Sequence, residues 1–211
     1  PSTSSAASDV YKRQSWGRFV CHVSLSTIHG GDRSQDKVLV ATPSEGLDRG
    51  AIAISAQVNL GDPAEPEMIQ RMARITTDSH EKSIPVLGMF YPRGGNLILD
   101  DSDSTSGVAH AARLAWELGC NVVKVPWTGS EESFGIVTTS VPIPVLVSGG
   151  PKDDDFGKVL KLVEKSINAG GSGVCIGRNV FSSEDPSSRI RALRSIVHEG
   201  ANAEEASRHL R

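Results

Sequence analysis

The sequence has little that would tie it to a membrane, a metal or a disulfide framework. No apolar run is long enough to cross a bilayer. No signal-peptide pattern is visible, and a cytoplasmic location is the expectation. There are only three cysteines, Cys21, Cys120 and Cys175, and no CxxC pair. Each lies in or beside an apolar run, so buried, reduced thiols are expected. No Cys/His zinc spacing, Walker loop or G-x-S-x-G segment occurs. The acidic loop Asp100-Asp101-Ser102-Asp103 lacks the spacing of a calcium loop and reads as a solvated turn. Basic residues are scattered and the net charge is −3, which argues against a nucleic-acid surface.

What is present suits one globular domain. The chain has 211 residues, of which 38% are hydrophobic and 5% aromatic, with 21 glycines. That composition fits an α/β protein with a sizeable core and many tight strand–helix turns. Residues Pro1 to Gln14 do not match the rest. They begin as a polar, low-complexity string and continue as Ser8-Asp9-Val10-Tyr11-Lys12-Arg13-Gln14, which looks like translated adapter sequence. Disorder is expected there, leaving 15–211 as the domain.

From Arg18 onward, strand and helix patterns alternate. The strand candidates are Arg18–Leu25, Ala51–Val58, Ile84–Phe90, Asn121–Val125, Ile143–Ser148 and Gly173–Gly177, with a short apolar piece at Val38–Ala41 before a helix at Pro43–Arg49. Asp62-Pro63 marks a helix start, followed by Met68, Ile69, Met72 and Ile75 at helical spacing. Val108, Ala111, Ala112, Ala115 and Leu118 form a second stripe, ended by Gly119. Phe156, Val159, Leu160, Val163 and Ile167 form a third, ended by Gly170-Gly171. Ile190, Leu193, Ile196 and Val197 form a fourth, started by Asp185-Pro186. Each stripe is most simply a core-facing surface.

Repeated βα units with apolar strands imply a parallel sheet with helices outside. The two solutions are an open doubly wound sheet and a (β/α)8 barrel. Glycine turns after the last two strands favour the barrel. Six strands are two short of closure, a deficit that matches about two βα units absent before Arg18. On that expectation the barrel is truncated at its N-terminus, has unpaired edges and shows little or no activity.

Barrel enzymes place reactive groups at the C-terminal ends of strands. Lys124 is the one charge inside Asn121-Val-Val-Lys-Val-Pro126. A lysine on such a strand is costly unless it is used or paired, and burial favours the free amine that Schiff-base chemistry needs. The plainer alternative is a lysine that reaches solvent at the strand end. Tyr91 and Arg93 follow another strand, where a phenol can move protons and a guanidinium can hold an anion; a rim tyrosine and a surface ion pair are the alternative. Ser148, Gly149 and Gly150 offer a hydroxyl and open backbone N–H groups to a phosphate. Lys152 beside them reads as a solvated turn charge. Gly177 and Arg178 stand after the last strand, where many barrels bind phosphate. His22 and His110 read as structural.

Several segments together resemble the archaeal-type class I aldolases of the DeoC/LacD-like superfamily. They are Tyr91-Pro-Arg-Gly94, Val108-Ala-His-Ala-Ala-Arg113, Val122-Val-Lys-Val125 with Thr128-Gly129, Ser148-Gly-Gly-Pro-Lys152, Gly177-Arg-Asn-Val-Phe181 and Ile196-Val-His-Glu199. The resemblance implies a (β/α)8 barrel that forms a lysine imine with a phosphorylated ketone, without metal or organic cofactor. It implies Lys124 as the imine lysine and Tyr91 as the proton-transfer group. Ser148, Gly149, Gly150, Gly177 and Arg178 would hold the phosphate, and Arg93 would touch the substrate. The family's first strand carries a catalytic aspartate in an Asp-His-Gly segment that has no counterpart here. Met89 stands where the fructose-bisphosphate branch carries Trp, so Met89-Phe90-Tyr91 looks more like the 2-amino-3,7-dideoxy-D-threo-hept-6-ulosonate synthase branch, on a route to 3-dehydroquinate and the aromatic amino acids. Val125-Pro-Trp127 departs from the residues common after the lysine. Fructose-bisphosphate aldolase and an inactive, phosphate-binding fragment are the alternatives. The resemblance also implies a homo-oligomer when full length, with no nucleic-acid or membrane partner.

Overall fold

The computed structural model describes residues 18–98 and 104–210. The 1–14 segment and the Asp100–Asp103 loop lie outside the described residues. Six parallel strands form one curled sheet: β1 (Val20–His22), β4 (Ala53–Leu60), β5 (Val86–Pro92), β6 (Val122–Val125), β7 (Val145–Ser148) and β8 (Gly173–Cys175), in the order β1-β4-β5-β6-β7-β8. Helices link them: α1 (Pro43–Asp48), α2 (Glu65–Glu81), α3 (Thr105–Glu117), α4 (Glu131–Thr139), α5 (Phe156–Asn168), the short α6 (Arg178–Phe181), α7 (Pro186–Glu199) and α8 (Ala203–Ser207). This is the α/β architecture of a TIM-type barrel, drawn as an open arc. Among the described residues β1 and β8 each pair with one neighbour only. No described helix is long and apolar enough to cross a membrane.

The arc has two unlike faces because side chains alternate along each strand. On β4, Ile54, Ala56, Val58 and Leu60 point outward to the helices and are at most 3% exposed. Val86 and Phe90 on β5, Val123 and Val125 on β6, and Val145 and Val147 on β7 do the same. Met68, Met72 and Ile75 of α2 and Val108, Ala111, Ala112 and Ala115 of α3 close over them. Burying side chains of the size of methionine or isoleucine contributes about 1.5–3 kcal/mol each. A second cluster joins α5, α7 and α8 through Leu160, Val163, Ala192, Ile196 and Ala206. The alternate residues on the concave face are left to do chemistry.

Several expected boundaries shift. The Arg18–Leu25 strand is two strands. Val23 donates its N–H to Ser55 but accepts at its carbonyl from Val40, so the chain leaves the parallel sheet there. Ser24–Leu25 (β2) then pairs antiparallel with Val38–Leu39 (β3). Asp62 does not cap α2; its carboxylate accepts from Ala64 N–H, so Asp62-Pro63 forms a turn before a helix that begins at Glu65. Ile190 is 46% exposed although it fits the α7 stripe, because that side of α7 overhangs the open edge at β8. Asp185 does cap α7, accepting from Ser188 N–H. Of the cysteines only Cys120 is buried, and burial pushes its thiol up to about 12.

One glycine holds the sheet end in shape. A Cβ on Gly94 would sit 1.8 Å from the Gly61 carbonyl carbon, so the loop after β5 and the loop after β4 touch backbone to backbone. Gly94 N–H donates to Leu60 in the same place. Gly94→Ala should therefore destabilise the fold by on the order of 3 kcal/mol. At roughly 2–4 °C per kcal/mol for a chain of this size, calorimetry should record a clear fall in melting temperature, and an unchanged value would refute the contact.

Candidate active site

The concave face is polar where the convex face is not. Ser55, Gln57 and Asn59 of β4, Met89 and Tyr91 of β5, Lys124 of β6 and Ser148 of β7 all point inward. Register places Gln57, Met89 and Lys124 at one level, with Asn59 beside Tyr91 one step nearer the C-terminal ends. Tyr91 lies within β5 rather than after it, so its backbone is held in the sheet on the way to the turn at Arg93.

All eight residues singled out in the sequence line one cavity of about 430 Å³: Lys124, Tyr91, Arg93, Ser148, Gly149, Gly150, Gly177 and Arg178. Lys124 Nζ lies 6.0 Å from the centre of the Tyr91 ring. The Arg93 guanidinium stacks on that ring at 4.1 Å. Lys124 is half-buried on the concave face, between Val123 and Val125, which are fully buried on the other side. Arg93 is exposed at the rim, yet packing strips part of the water from its guanidinium. That desolvation, reinforced by the nearby Arg178 charge against the opposing pull of Tyr91, lowers its pKa. None of Lys124, Arg93 and Arg178 has a carboxylate partner among the described residues. Uncompensated cations at strand ends form a receptor for an anion.

The glycine turn is shaped for close approach. A Cβ on Gly149 would meet the Ile176 side chain at 2.7 Å, and Gly150 has φ +64°. Lys152 is outside the cavity, exposed and 3.9 Å from Asp154. His110 is exposed on α3, away from the site.

Three features were not legible in the sequence. Asn179, 1% exposed, ties the two glycine turns together. Its Nδ2 donates to the carbonyls of Gly149 at 2.7 Å and Pro151 at 2.9 Å, and its Oδ1 accepts from Asp153 N–H at 2.9 Å. A buried Asn beside a Gly-Arg pair was the available clue. His22 is not packed among apolar residues but stands on the concave face, with Nδ1 2.9 Å from Ser55 Oγ. One side of its ring is open, but the crowding strands desolvate it. The charges of Lys37 and Lys124 add to that effect and hold its pKa below the usual histidine value. Lys37 is the third: burial, and then the Arg93 charge, lower its pKa. Among the described residues no group of three or more metal-ligating side chains converges.

Removing the Asn179 amide leaves two carbonyls and an N–H without partners, at about 1–3 kcal/mol for each buried group left unmatched. Asn179→Ala should lower the melting temperature and loosen both glycine turns. Amide exchange at Asp153 should then accelerate; exchange as slow as in the unaltered chain would show that Asn179 is not the tie.

Residues 5–183 match the family profile of the DeoC/LacD family aldolases. The chain is 37% identical to a 2-amino-4,5-dihydroxy-6-oxo-7-(phosphonooxy)heptanoate synthase of Streptomyces griseus, over 85% of this chain and 64% of that protein. It is 38% identical to 2-amino-3,7-dideoxy-D-threo-hept-6-ulosonate synthase 1 of Archaeoglobus fulgidus, over 88% of this chain and 68% of that one. The chain thus spans about two thirds of the length of these curated relatives. Among solved structures it is similar to an archaeal fructose 1,6-bisphosphate aldolase, with 28% identity and a TM-score of 0.77 over 91% of this chain and 76% of that one. It is also similar to a Schiff-base-forming fructose-1,6-bisphosphate aldolase, with 29% identity and a TM-score of 0.74 over 85% and 71%. The alternating faces of the arc, the lysine–tyrosine pair within it and these likenesses agree: the chain belongs to the DeoC/LacD aldolase family.

Proposed function

We propose that Lys124 forms an imine with a phosphorylated ketone and that the enzyme adds the resulting enamine to an aldehyde. The observation that carries this reading is a lysine amine and a tyrosine ring 6.0 Å apart in a cavity whose wall holds two glycine turns and two guanidinia that have no carboxylate partner among the described residues. The amine of Lys124 adds to the ketone carbon, and uptake of one proton with loss of water gives the iminium ion. Loss of an α-proton turns the iminium into an enamine. The enamine carbon bonds to the aldehyde carbon, and the aldehyde oxygen takes up a proton. Water then releases the product and restores the amine. Tyr91 is the group placed to carry protons to and from these atoms. Ser148 Oγ, the N–H groups of Gly149, Gly150 and Gly177, and the Arg178 guanidinium hold the phosphate.

The relatives' names support a substrate class. A 2-amino-4,5-dihydroxy-6-oxo-7-(phosphonooxy)heptanoate has its ketone at carbon 6 and hydroxyls at 4 and 5. An aldol disconnection between carbons 4 and 5 gives a phosphorylated three-carbon ketone and a four-carbon amino-acid aldehyde. We assign this chain to the heptulosonate synthase branch on that basis, with Met89 level with Lys124 on the neighbouring strand. The likeness to fructose-1,6-bisphosphate aldolases supports the second reading, cleavage of a ketose bisphosphate by the same imine chemistry.

Borohydride reduction in the presence of dihydroxyacetone phosphate tests the imine. The peptide that contains Lys124 should gain the mass of the reduced ketone, and Lys124→Met should gain none. Arg178→Ala should weaken phosphorylated ketones roughly 10- to 150-fold, the equivalent of losing a charge-assisted bond of about 1.5–3 kcal/mol, with little change for dihydroxyacetone. Phosphate-dependent binding without any adduct would leave only a phosphate-binding remnant.

A further inference from the structure

We propose that Gln57 determines specificity by accepting a hydrogen bond from a hydroxyl on the ketone carbon that becomes the enamine carbon. The preferred donor is then an α-hydroxyketone phosphate, not its deoxy counterpart. The proposal deepens the imine reading and rests on it for the placing of the ketone.

The Gln57 amide is oriented by a chain of donors that begins outside the parallel sheet. Arg71 donates to the Lys37 carbonyl at 3.0 Å. The neighbouring Asp36 carboxylate, 2% exposed, is bonded to both Arg71 and Arg33. The 35–37 segment is thereby fastened across β4. Its Gln35 carbonyl can only accept, and it accepts from Asn59 Nδ2 at 2.6 Å. Asn59 is fully buried. With its nitrogen committed to Gln35, its Oδ1 is the atom left to meet Gln57. Gln57 must therefore present its own nitrogen, and Nε2 donates to Asn59 Oδ1 at 2.8 Å. The main chain of Gln57 is held as well. Its N–H lies past the last pair of β1 with β4 and donates to Ser24 Oγ at 3.0 Å. What remains is Gln57 Oε1, which has no hydrogen-bond partner among the described residues. An amide whose nitrogen is already committed offers only acceptance to a ligand.

Register places that acceptor relative to the chemistry. Gln57 pairs with Met89, and Met89 pairs with Lys124, so the three share one level on the concave face. Two strand spacings, about 10 Å, separate the Gln57 and Lys124 main chains. Both side chains project into the concavity, and a small ketone on Lys124 spans the rest. The glycine turn and Arg178 follow β7 and β8, on one side of β6. A ketone that is joined to Lys124 and has its phosphate there must turn its other carbon toward β5 and β4. Met89 offers that carbon an apolar wall, and Gln57 offers a carbonyl oxygen. A hydroxyl on the carbon fills the need for a donor; a methyl group leaves the oxygen unmatched.

Two ketone phosphates separate these cases: dihydroxyacetone phosphate, and hydroxyacetone phosphate, which has a methyl group in place of the free hydroxymethyl. Calorimetric titration of the 211-residue chain should show the first binding roughly 3- to 10-fold more tightly, the effect of one neutral hydrogen bond. Gln57→Met, close in size but without an acceptor of comparable strength, should abolish or reverse that preference. Arg178→Ala should weaken both ligands and keep it. Because the readout is a ratio within one protein, a general loss of stability does not imitate the result. Equal binding of the two ketones by the unaltered chain, or binding of neither, overturns the role of Gln57, and so does a Gln57→Met chain that keeps the preference. If Gln57→Met does not fold, a crystal of the unaltered chain soaked with dihydroxyacetone phosphate decides: the free hydroxyl should lie within hydrogen-bonding distance of Gln57 Oε1, and a hydroxyl bound to any other group overturns the proposal. Failure of the imine reading is separately visible as absence of a borohydride adduct while the hydroxyl preference remains.

Discussion

Lys124, Arg93 and Arg178 converge on one cavity with no carboxylate among the described residues to neutralise them. Like charges gathered in a partly desolvated space disfavour the folded state unless other contacts hold them there. The helix-facing side of the sheet supplies those contacts. Val58, Phe90, Val123, Val125 and Val147 are completely buried and fix the strands whose opposite faces or ends carry the cations. Gly94 against Gly61 fixes the turn after β5, and Asn179 fixes the turns after β7 and β8. The apolar side of each strand thus stabilises what the polar side destabilises, and the phosphate of the proposed substrate would complete the balance.

The same division explains how much was legible in the sequence. Apolar runs such as Val122–Val125 and stripes such as Met68–Met72–Ile75 depend on local periodicity, and the structure has them where the pattern puts them. Lys124, Tyr91 and Arg178 stand out because each is a lone functional group at a strand end, so topology alone brings them to one rim. The residues that were missed act over distance. Lys37 is fastened by Arg71 and the segment by Asn59, contacts across 34 and 24 positions. His22 reads as one of an apolar run until the break at Val23 and the pairing with Ser55 show which way it faces. Ile190 fits a helical stripe, but what covers that stripe depends on the neighbours of β8, which a helical period does not encode.

The arc also separates two requirements that barrel enzymes combine. Arg93 follows β5 and the glycine turn and Arg178 follow β7 and β8, while Lys124, the proposed imine lysine, is on β6 between them. A substrate anchored at both ends would present its middle carbons to Lys124, which fits aldol chemistry, where the bond made or broken is internal to the product. Tyr91, stacked under Arg93 and facing Lys124, stands at the junction of the two halves.

The central claim is spatial: one ketone must touch Lys124 and the glycine turns at once. A crystal of the chain soaked with dihydroxyacetone phosphate tests it most directly. The account predicts continuous density from Lys124 Nζ to the ketone carbon, with the phosphate within hydrogen-bonding distance of the Ser148–Gly150 turn and Arg178. A phosphate seated in that turn with the ketone carbon pointing away from Lys124, or a ligand bound elsewhere on the sheet, would contradict it.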